Sequence, residues 1–293
     1  MVVIVALNGG LGNQMFQYAA ARTVSSRLNV PLKLDVSGFI HEPLRTYRLK
    51  HFNIVENFAS AGELASFGRS KGKGLYPRLL RLTRFMGLLE TKAVIRERHF
   101  QVCPEIWNAP PEVYLEGYWQ SERYFREIAC TIRDEFQVKH PLAGRNAVMA
   151  ECIRNTGSVS VHIRRGDYAT DPHINCIHGV CAPDYYQRAI AFMAQRVGRL
   201  HSFVFSDDPV WVKGNLALDY PTTVVDHNGV DGDYEDLRLM TMCKHHIIAN
   251  SSFSWWGAWL AQNPDKVIIA PTKWFNTSEF DSSDLVPRGW IRM

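Results

Sequence analysis

Apolar runs alternate with amphipathic segments along most of this chain, starting at its first residues. Residues 2–7 are apolar and rich in β-branched side chains, residues 8–12 are turn-forming, and residues 13–28 place apolar side chains at helical spacing. A second apolar run follows at residues 31–35. A strand, a turn, a helix and a second strand in this order predict a βαβ unit at the start of the chain.

The pattern between about residues 40 and 150 is less regular. It predicts one strand near residues 114–118 and one helix over residues 121–137. Residues 68–74 combine glycine and lysine and predict a loop, after which residues 75–89 place leucines at helical spacing between arginines. The segment 75–89 is therefore predicted to be a basic amphipathic helix.

A regular alternation of strands and helices begins near residue 158. The predicted strands cover residues 159–163, 202–206, 223–226, 246–250 and 266–270. The predicted helices cover residues 185–197, capped by Asp184, and residues 209–218, 234–243 and 253–262. This alternation predicts a doubly wound parallel sheet. We therefore expect an α/β fold with an N-terminal domain at residues 1–150 and a Rossmann-like domain at residues 151–293.

The composition excludes several classes of protein. With 46% hydrophobic and 21% charged residues, the 293-residue chain is not a disordered chain, a collagen-like repeat or a disulfide scaffold. The opening apolar run is too short for a signal peptide, and no apolar run is long enough to span a membrane. The six cysteines are scattered through the chain. We therefore expect a globular cytoplasmic protein with reduced thiols.

The net charge of +4 arises from one segment. Residues 69–98 contain nine Lys or Arg residues against Glu90 and Glu97, a local charge of +7, which leaves −3 for the rest of the chain. This patch lacks the base-stacking aromatic residues of a nucleic-acid groove, so we expect no nucleic-acid partner. An ordinary surface helix at residues 75–89 is favoured over peripheral contact with the cytoplasmic face of a membrane, which stays the second interpretation.

Polar residues follow four of the predicted strands in the second half of the chain. These segments are residues 162–168, 206–209, 226–228 and 250–254. Because ligands of an open parallel sheet bind beyond the carboxyl ends of its strands, we expect the four segments to line one binding site. Their charged and hydroxyl side chains predict a polar, anionic ligand.

Arg164 and Arg165 are adjacent at the first of these strand ends. A guanidinium group donates two parallel hydrogen bonds to phosphate oxygens, so the pair is typical of a pyrophosphate site. A surface salt bridge with Asp167 is the alternative interpretation.

The segment before the last predicted helix contains Asn250 and three serines, Ser251, Ser252 and Ser254. Hydroxyl groups beside the free amide groups of a helix N-terminus form a phosphate site, and one serine would be enough to cap the helix. We therefore predict that this segment binds the phosphates of the same ligand as the arginines.

The turn after the first strand contains Gly9, Gly10 and Gly12, which allow a backbone to approach a phosphate or a sugar closely. Asp35 ends the next strand, as in dinucleotide-binding units. However, the spacing Gly-x-Gly-x-x-Gly fails, because Met15 occupies its third glycine position. The P-loop spacing is also absent from the sequence. An NAD-dependent oxidoreductase and a P-loop enzyme are therefore disfavoured.

Two groups of residues resemble metal ligands. Asp231 and Asp233 flank a glycine, but such acids before a helix are more often a turn and a helix cap. Four zinc-type ligands also occur within nine residues: His173, Cys176, His178 and Cys181. Their spacing matches no common zinc pattern, so zinc or a disulfide stays an open alternative. We predict no metal site.

Three motifs together resemble the bacterial α-1,2-fucosyltransferases. They are Gly-Gly-Leu-Gly-Asn-Gln-Met-Phe-Gln-Tyr at residues 9–18, His-Ile-Arg-Arg-Gly-Asp-Tyr at residues 162–168, and Ile-Ala-Asn-Ser-Ser-Phe-Ser-Trp-Trp-Gly-Ala-Trp at residues 248–259. The resemblance covers nearly the whole chain and is weakest at residues 55–110.

This resemblance implies a fold of the GT-B type, in which two Rossmann-type domains face a cleft. In such a fold the N-terminal domain, with its glycine-rich turn, would form the acceptor side and the C-terminal domain would bind GDP-fucose. The resemblance also implies an inverting galactoside 2-α-L-fucosyltransferase of bacterial O-antigen or capsule biosynthesis. Such an enzyme moves L-fucose from GDP-β-L-fucose to the 2-hydroxyl of a terminal β-galactose. The acceptor would be an oligosaccharide or a lipid-linked glycan, and no metal or other cofactor is expected.

The resemblance further implies roles for single residues. His162 would lie near the nucleoside, and Arg164 and Arg165 would bind the pyrophosphate and stabilise the departing GDP. The other residues expected at the donor are Gly12, Asn13, Asp207, Asp208, Asn250, Ser251, Ser252 and Ser254. Asp167 is the predicted catalytic base, with Asp171, Asp35 or no base at all as alternatives.

Two other functions fit the same residues. Arginines and serines recognise a diphosphate and do not identify the sugar attached to it, so an inverting transferase with another nucleotide sugar is one alternative. A non-catalytic nucleotide-binding or glycan-binding protein is the other. The sequence determines neither the acceptor glycan nor the oligomeric state.

Overall fold

The computed structural model describes residues 1–42, 44–69 and 92–293. The chain divides into two compact units, Met1–Gln137 and Val138–Met293. The basic segment predicted at residues 75–89, and with it the predicted membrane contact, lies outside the described residues.

The N-terminal unit contains a four-stranded parallel sheet. Its strands are β1 (Val2–Ala6), β2 (Leu32–Asp35), β3 (Ala93–Arg96) and β4 (Glu112–Glu116), in the order β2-β1-β4-β3. Its α-helices are α1 (Leu11–Leu28), α2 (Ala61–Ser66) and α3 (Ala129–Glu135). Short 3-10 helices cover Ser37–His41, Leu49–His51, Pro104–Asn108, Glu122–Tyr124 and Arg126–Ile128.

The predicted βαβ opening is confirmed. Strand β1 is buried at its centre and pairs in parallel with both β2 and β4, so it has a neighbour on each side. Helix α1 ends at Asn29, whose left-handed backbone (φ 52°) closes the helix with hydrogen bonds to Ser25 and Ser26. The central position of β1 places the glycine turn that follows it at the middle of the sheet edge.

Two predictions in this unit are wrong in detail. The strand predicted near residues 114–118 ends at Glu116, and the N–H groups of Tyr118 and Trp119 donate to the Glu97 side chain instead of to a strand. The helix predicted over residues 121–137 consists of two 3-10 turns followed by the seven-residue α3. Phe125, between the two turns, has φ −133° and lies outside the helical region of the backbone map.

The C-terminal unit contains a six-stranded parallel sheet. Its strands are β5 (Ser158–Ile163), β6 (His201–Ser206), β7 (Thr222–Val225), β8 (His245–Ile247), β9 (Ile268–Ala270) and β10 (Ile291–Arg292), in the order β10-β9-β8-β5-β6-β7. The helices are α4 (Gly144–Arg154), α5 (Gly166–Thr170), α6 (Pro172–His178), α7 (Pro183–Val197), α8 (Pro209–Asn215), α9 (Asp233–Met242) and α10 (Ser252–Leu260). A 3-10 turn covers Val230–Gly232.

Apolar clusters lie on both faces of this sheet. One contains Val159, Val161 and Ile163 of β5 with the buried face of α7. The other contains Phe203 and Phe205 of β6 with residues of α4 and α9. The predicted doubly wound α/β domain is therefore confirmed, with the expected strands and helices shifted by only a few residues.

The aromatic segment at the end of the third motif is core, as expected. Trp255 and Trp256 of α10 have no exposed surface, and their rings lie 5.1 Å apart in a T-shaped pair. Trp290 also packs on Trp255, at 5.4 Å. These buried side chains anchor the helix in the core.

The sequence did not predict α4, α5, α6, β3 or β10. The division between the two units, after Gln137, also differs from the predicted boundary at residue 150, which lies inside α4. Ala150 and Ile153 of this helix are buried with Phe203 against the C-terminal sheet, so α4 belongs to the second unit. Among the described residues, none of the helices combines the length and the apolar character needed to cross a membrane.

Candidate functional site

The predicted site residues of the C-terminal unit lie at the carboxyl edge of its sheet. The chain builds β6 and β7 on one side of β5 and then returns to build β8, β9 and β10 on the other side. The direction therefore reverses between β5 and β8, and ligands of open parallel sheets bind at such a reversal. Residues 162–168 begin within the last two residues of β5, residues 206–209 begin at the last residue of β6, and residues 250–254 follow β8.

Arg164 lies between two carboxylates. Its guanidinium group donates to Oδ2 of Asp207 at 2.5 Å and to Oδ1 of Asp167. The ring of Tyr168 covers the guanidinium group at 5.0 Å. The ion pair with Asp167, which was the alternative interpretation of this arginine, is present, and Asp207 adds a contact from the neighbouring strand end that sequence spacing did not reveal.

Arg165 is held by the same strand end. Its backbone N–H donates to Oδ1 of Asp207 at 2.8 Å, and its Nε donates to Oδ2 of Asp208 at 3.4 Å. The guanidinium group also lies 3.7 Å from the ring centre of Trp211. The two arginines are therefore oriented by Asp207 and Asp208 and by one aromatic ring each.

Asp208 also caps a helix. It is the N-cap of α8, where its Oδ1 accepts the backbone N–H of Trp211 at 3.1 Å. Asp208 thus connects the cap of α8 to Arg165, while Asp207 connects β6 to both arginines. The sequence placed both acids at the donor, and the structure shows them as the residues that orient the arginines.

His162 is buried below this edge. Its ring packs against Phe253 of α10 at 5.4 Å, so the end of β5 meets the helix that follows β8 here. Burial, together with the charge of Arg164, lowers the pKa of His162 to about 3, and the imidazole is neutral at physiological pH. Its Nδ1 has no hydrogen-bond partner among the described residues. An unsatisfied buried nitrogen of this kind is uncommon in folded proteins.

Asn250 is 3% exposed, and its side chain forms hydrogen bonds to the backbone of neighbouring loops. Its amide nitrogen donates to the carbonyl oxygens of His178 at 2.8 Å, Trp274 at 3.2 Å and Gly179 at 3.4 Å. Its Oδ1 accepts from Sγ of Cys181 at 3.5 Å. The Asn250 side chain is therefore engaged in cross-linking three loops of this edge.

The three serines occupy different environments. Ser251 is the N-cap of α10, and Ser252 and Ser254 lie in its first turn. Ser254 is fully buried and its hydroxyl donates to the Ser251 carbonyl at 3.3 Å. Ser252 is half-buried and opens the helix, where backbone N–H groups and the helix dipole favour an anion.

Each of the three acids considered as catalytic base has a hydrogen-bond or ion-pair partner. Asp167 pairs with Arg164, and Asp171 is the N-cap of α6, where its Oδ1 accepts the N–H of His173 at 2.8 Å. Asp35 is 6% exposed in the N-terminal unit and accepts the hydroxyl of Tyr114 at 2.7 Å. Asp167 is the one of the three that touches the arginines.

The segment with four zinc-type ligands forms α6 and the loop after it. The His178 ring stacks on Tyr168 at 4.5 Å, and its pKa is lowered, mainly by burial. Cys176 and Cys181 are free thiols. Within residues 1–42, 44–69 and 92–293, no three His, Cys, Asp or Glu side chains lie close enough to share a metal ion. The aromatic stack of residues 168 and 178 was not predicted, because the two are ten positions apart.

The glycine turn of the N-terminal unit is cross-linked by two buried glutamines. Gln14 donates to the Gly9 carbonyl at 2.9 Å, and Gln17 donates to Oδ1 of Asn8 at 3.1 Å. Gly9 has φ 71°, which favours glycine, and Gly12 is buried in the first turn of α1. Oδ1 of Asn13 accepts from Gln120 at 2.9 Å, so the turn contacts the loop after β4.

A partly buried polar network at α9 was also missed. Asn228, after β7, donates to Oδ1 of Asp236 at 2.8 Å and to Oδ1 of Asn146 at 3.0 Å. Burial raises the pKa of Asp236 to about 7. A charged residue three positions after the start of an amphipathic helix is usually exposed, so the sequence carries little signal for this network.

Comparison with known proteins gives a consistent result. A family model described as glycosyl transferase family 11 matches residues 94–293. An Escherichia coli α-1,2-colitosyltransferase is 36% identical, with 100% of this chain and 99% of that protein covered. The E. coli O-antigen biosynthesis glycosyltransferase WbnK is 33% identical over 98% of this chain and 99% of its own length.

Two further matches are more distant. The galactoside α-(1,2)-fucosyltransferase 2 of Sus scrofa is 28% identical over 51% of this chain and 46% of its own length. The crystal structure of the fucosyltransferase NodZ from Bradyrhizobium superposes with a TM-score of 0.51 at 13% identity, covering 87% of this chain and 91% of that one. This structural likeness supports the GT-B-like α/β fold.

Proposed function

The chain belongs to glycosyl transferase family 11, and on that premise we propose that it transfers L-fucose from GDP-β-L-fucose to the 2-hydroxyl of a terminal β-galactose. The acceptor in this proposal is an oligosaccharide or a lipid-linked glycan of a bacterial surface polysaccharide. The motifs at residues 9–18, 162–168 and 248–259, which resemble those of bacterial α-1,2-fucosyltransferases, support this donor and this linkage.

The observation that carries the proposal is the arginine pair at the end of β5. The Asp207 carboxylate binds the guanidinium group of Arg164 and accepts the backbone N–H of Arg165. Donors that are oriented before the substrate arrives do not have to be reorganised when charge develops in the transition state. A sugar nucleotide develops negative charge on its departing diphosphate, and two oriented guanidinium groups suit that charge.

The N-terminus of α10 supports the same assignment. Helix α10 follows β8, the strand beside β5, and its first turn carries Ser252. The dipole of this nine-residue helix favours a phosphate at that end. In the proposed reaction, Arg164 and Arg165 contact the diphosphate and the first turn of α10 contributes backbone donors.

We propose a single displacement with inversion at the sugar carbon. The acceptor hydroxyl attacks, the bond to the diphosphate breaks, and GDP leaves with the bonding electron pair. Asp167 is the proposed acceptor of the hydroxyl proton, because it is the one of the three candidate bases Asp167, Asp171 and Asp35 that contacts Arg164. The proposal includes no metal ion, so turnover in a chelator is part of its test.

A second donor is favoured by one specific observation. The relative that is 36% identical over the whole chain is an α-1,2-colitosyltransferase. Colitose is L-fucose without the 3-hydroxyl, so the two donors share the GDP group and differ by one polar atom. A site that hydrogen-bonds the 3-hydroxyl would discriminate strongly against colitose, whereas an apolar site would accept both sugars.

The test is GDP release with GDP-fucose or GDP-colitose and lactose, in EDTA, for the wild type and Arg164→Ala. We expect metal-independent turnover that is larger with GDP-fucose and is lost in Arg164→Ala. Arg188→Ala is the matched control, because Arg188 forms an exposed ion pair with Asp184 on α7. Larger turnover with GDP-colitose would reassign the donor. GDP binding without turnover of any nucleotide sugar would favour a non-catalytic binding protein.

The cytoplasmic location is also a proposal, and it follows from the supply of sugar nucleotides in that compartment. Membrane contact through residues 75–89 would be seen as binding to anionic liposomes at low salt, and lack of binding would contradict it.

A further inference from the structure

We infer that the loop 117–121 of the N-terminal unit binds the acceptor sugar, with the ring of Tyr118 as its stacking face and Glu97 as the positioning residue. This inference rests on the proposed glycosyl transfer and adds to it a site for the acceptor. None of these residues was singled out by the sequence motifs.

The loop lies at the reversal point of the four-stranded sheet. It follows β4, which pairs with β1, and the chain builds β2 on the other side of β1. Gln17 donates to the Gly117 carbonyl at 3.2 Å and Gln120 donates to Asn13 at 2.9 Å, so the loop is tied to the glycine turn. The carboxyl edge at such a reversal is where open parallel sheets bind their ligands.

The loop has a strained backbone. Within the described ranges, only Asn29 and Trp119 among non-glycine residues have a positive φ, and Trp119 has φ 57°. Asparagine tolerates this conformation, whereas a bulky residue adopts it only when its surroundings enforce it. Trp119 is fully buried, packs on Tyr124 at 5.4 Å, and its Nε1 has no partner among the described residues. Strain of this kind concentrates at functional sites.

Glu97 enforces the strained conformation. It follows β3, and its Oε2 accepts the backbone N–H groups of Tyr118 at 2.7 Å and Trp119 at 2.8 Å. Its Oε1 accepts the hydroxyl of Tyr124 at 3.3 Å. A Cβ on Gly117 would lie 2.4 Å from the Glu97 Cβ, so the close approach of the two chains requires glycine. Burial raises the pKa of Glu97, although these hydrogen bonds act to lower it.

The loop presents an aromatic face. Tyr118 is 40% exposed although its neighbours Trp119, Gln120 and Ser121 are buried. Its ring is stacked on Phe100 at 5.9 Å with an interplanar angle of 10°. The C–H groups on one face of a galactose ring pack well on such a surface, and the tyrosine hydroxyl supplies a polar group.

The first test replaces the ring. We expect Tyr118→Ala to raise the KM for lactose about tenfold, the loss of a stacking contact of ordinary strength, while Tyr118→Phe stays close to the wild type. The KM for the sugar nucleotide and its slow hydrolysis without acceptor are expected to stay within twofold, roughly the scatter of such measurements. An unchanged lactose KM in Tyr118→Ala would overturn the inference.

The second test addresses Glu97. Glu97→Ala removes the acceptor of two loop N–H groups and is expected to raise the lactose KM, whereas Glu97→Gln keeps one acceptor oxygen and is expected to restore most of the affinity. Glu135→Ala is the matched control, because Glu135 accepts from Tyr18 at 2.7 Å and Arg22 at 2.9 Å in the same unit, away from the loop. If Glu135→Ala changed the lactose KM as much as Glu97→Ala, the positioning role would be wrong.

Failure of the inference and failure of the proposed function give different results. If the wild type releases no GDP from any sugar nucleotide, the proposed function fails. Saturation-transfer NMR of lactose in the presence of GDP then tests the site directly, because it needs no turnover. Transfer to lactose that disappears in Tyr118→Ala supports the site, and equal transfer in the two proteins contradicts it.

Discussion

The carboxylate of Asp207 forms a 2.5 Å ion pair with Arg164 and accepts the backbone N–H of Arg165 at 2.8 Å. One side chain at the end of β6 therefore sets the position of two consecutive residues at the end of β5. Asp207 therefore fixes the side chain of Arg164 and the backbone of Arg165, while Asp208 and Trp211 orient the Arg165 guanidinium group.

This geometry predicts that lysine cannot replace Arg164. An ammonium group cannot donate to two carboxylates and keep a flat face against Tyr168. We expect Arg164→Lys to lower kcat/KM for the sugar nucleotide about a hundredfold, the usual effect of removing one oriented donor from a developing charge. Steady-state GDP release measures it. Arg188→Lys, on the exposed surface of α7, is expected to leave the value unchanged, and an equal loss there would contradict the assignment.

The backbone conformation and the close neighbours of Gly166 favour glycine at this position. Gly166 has φ 22°, and a Cβ there would lie 2.4 Å from Oδ2 of Asp207, the atom bound to Arg164. Gly166→Ala is expected to lower the free energy of unfolding by about 1 kcal/mol and to weaken GDP binding. Denaturant unfolding and calorimetric titration with GDP measure the two effects. Gly214→Ala is the control, because no atom lies within 4 Å of its added Cβ.

Asn250 is expected to be more important for stability than for GDP binding. Asn250→Ala leaves the carbonyl oxygens of His178 and Trp274 without their buried donor, which costs about 2–4 kcal/mol in total. Thermal unfolding should show a clear decrease in Tm. The control Asn263→Ala removes two exposed hydrogen bonds, to the Lys244 carbonyl and from the Asp265 N–H, and should change Tm little. A normal Tm combined with lost GDP affinity in Asn250→Ala would instead indicate direct contact with the donor.

The pH dependence of stability should contain a contribution from Asp236. Burial raises its pKa from 3.8 to about 7, with smaller additions from Asp233 and Glu235 and an opposing hydrogen bond from Asn228. Between these pH values the folded protein keeps the proton that the unfolded chain has released. The stability from this group is therefore fully present below about pH 4, decreases as pH rises to about 7, and is constant above that.

Asp236→Asn removes this titration and keeps an oxygen that can accept from Asn228. We expect the free energy of unfolding of the variant relative to the wild type to increase by roughly 1–3 kcal/mol between about pH 5 and about pH 8. Urea unfolding at both pH values measures the difference, in which the histidines common to the two proteins cancel. A difference that is independent of pH would contradict the raised pKa.

The hydrophobic pattern was enough to predict the core of the C-terminal unit. Strands β5 to β9 and helices α7 to α10 appear where apolar runs and helical spacing placed them, because both faces of a parallel sheet must be apolar. Helix caps were less well predicted. Asp184 was expected to cap α7, but the helix begins at Pro183 with Ala182 as its N-cap, and Asp184 pairs with Arg188.

The missed elements are short or lack an apolar stripe. Helices α5 and α6 cover five and seven residues and have no buried side chain, so no periodicity marks them. Strand β10 has two residues and exists because Ile291 pairs with β9. Local sequence carries little information on such elements, whose stability comes from residues distant in the chain.

The sequence by itself determined the fold class, the family resemblance and the position of the polar residues at strand ends, because these follow from local periodicity and short motifs. Only the tertiary structure decided what each polar residue contacts. Asp207 and Arg164 are 43 positions apart, and Glu97 is 22 positions from Trp119. Parallel strands pair through long crossover connections, so neighbours at the sheet edge are far apart in the chain and their pairing depends on strand order.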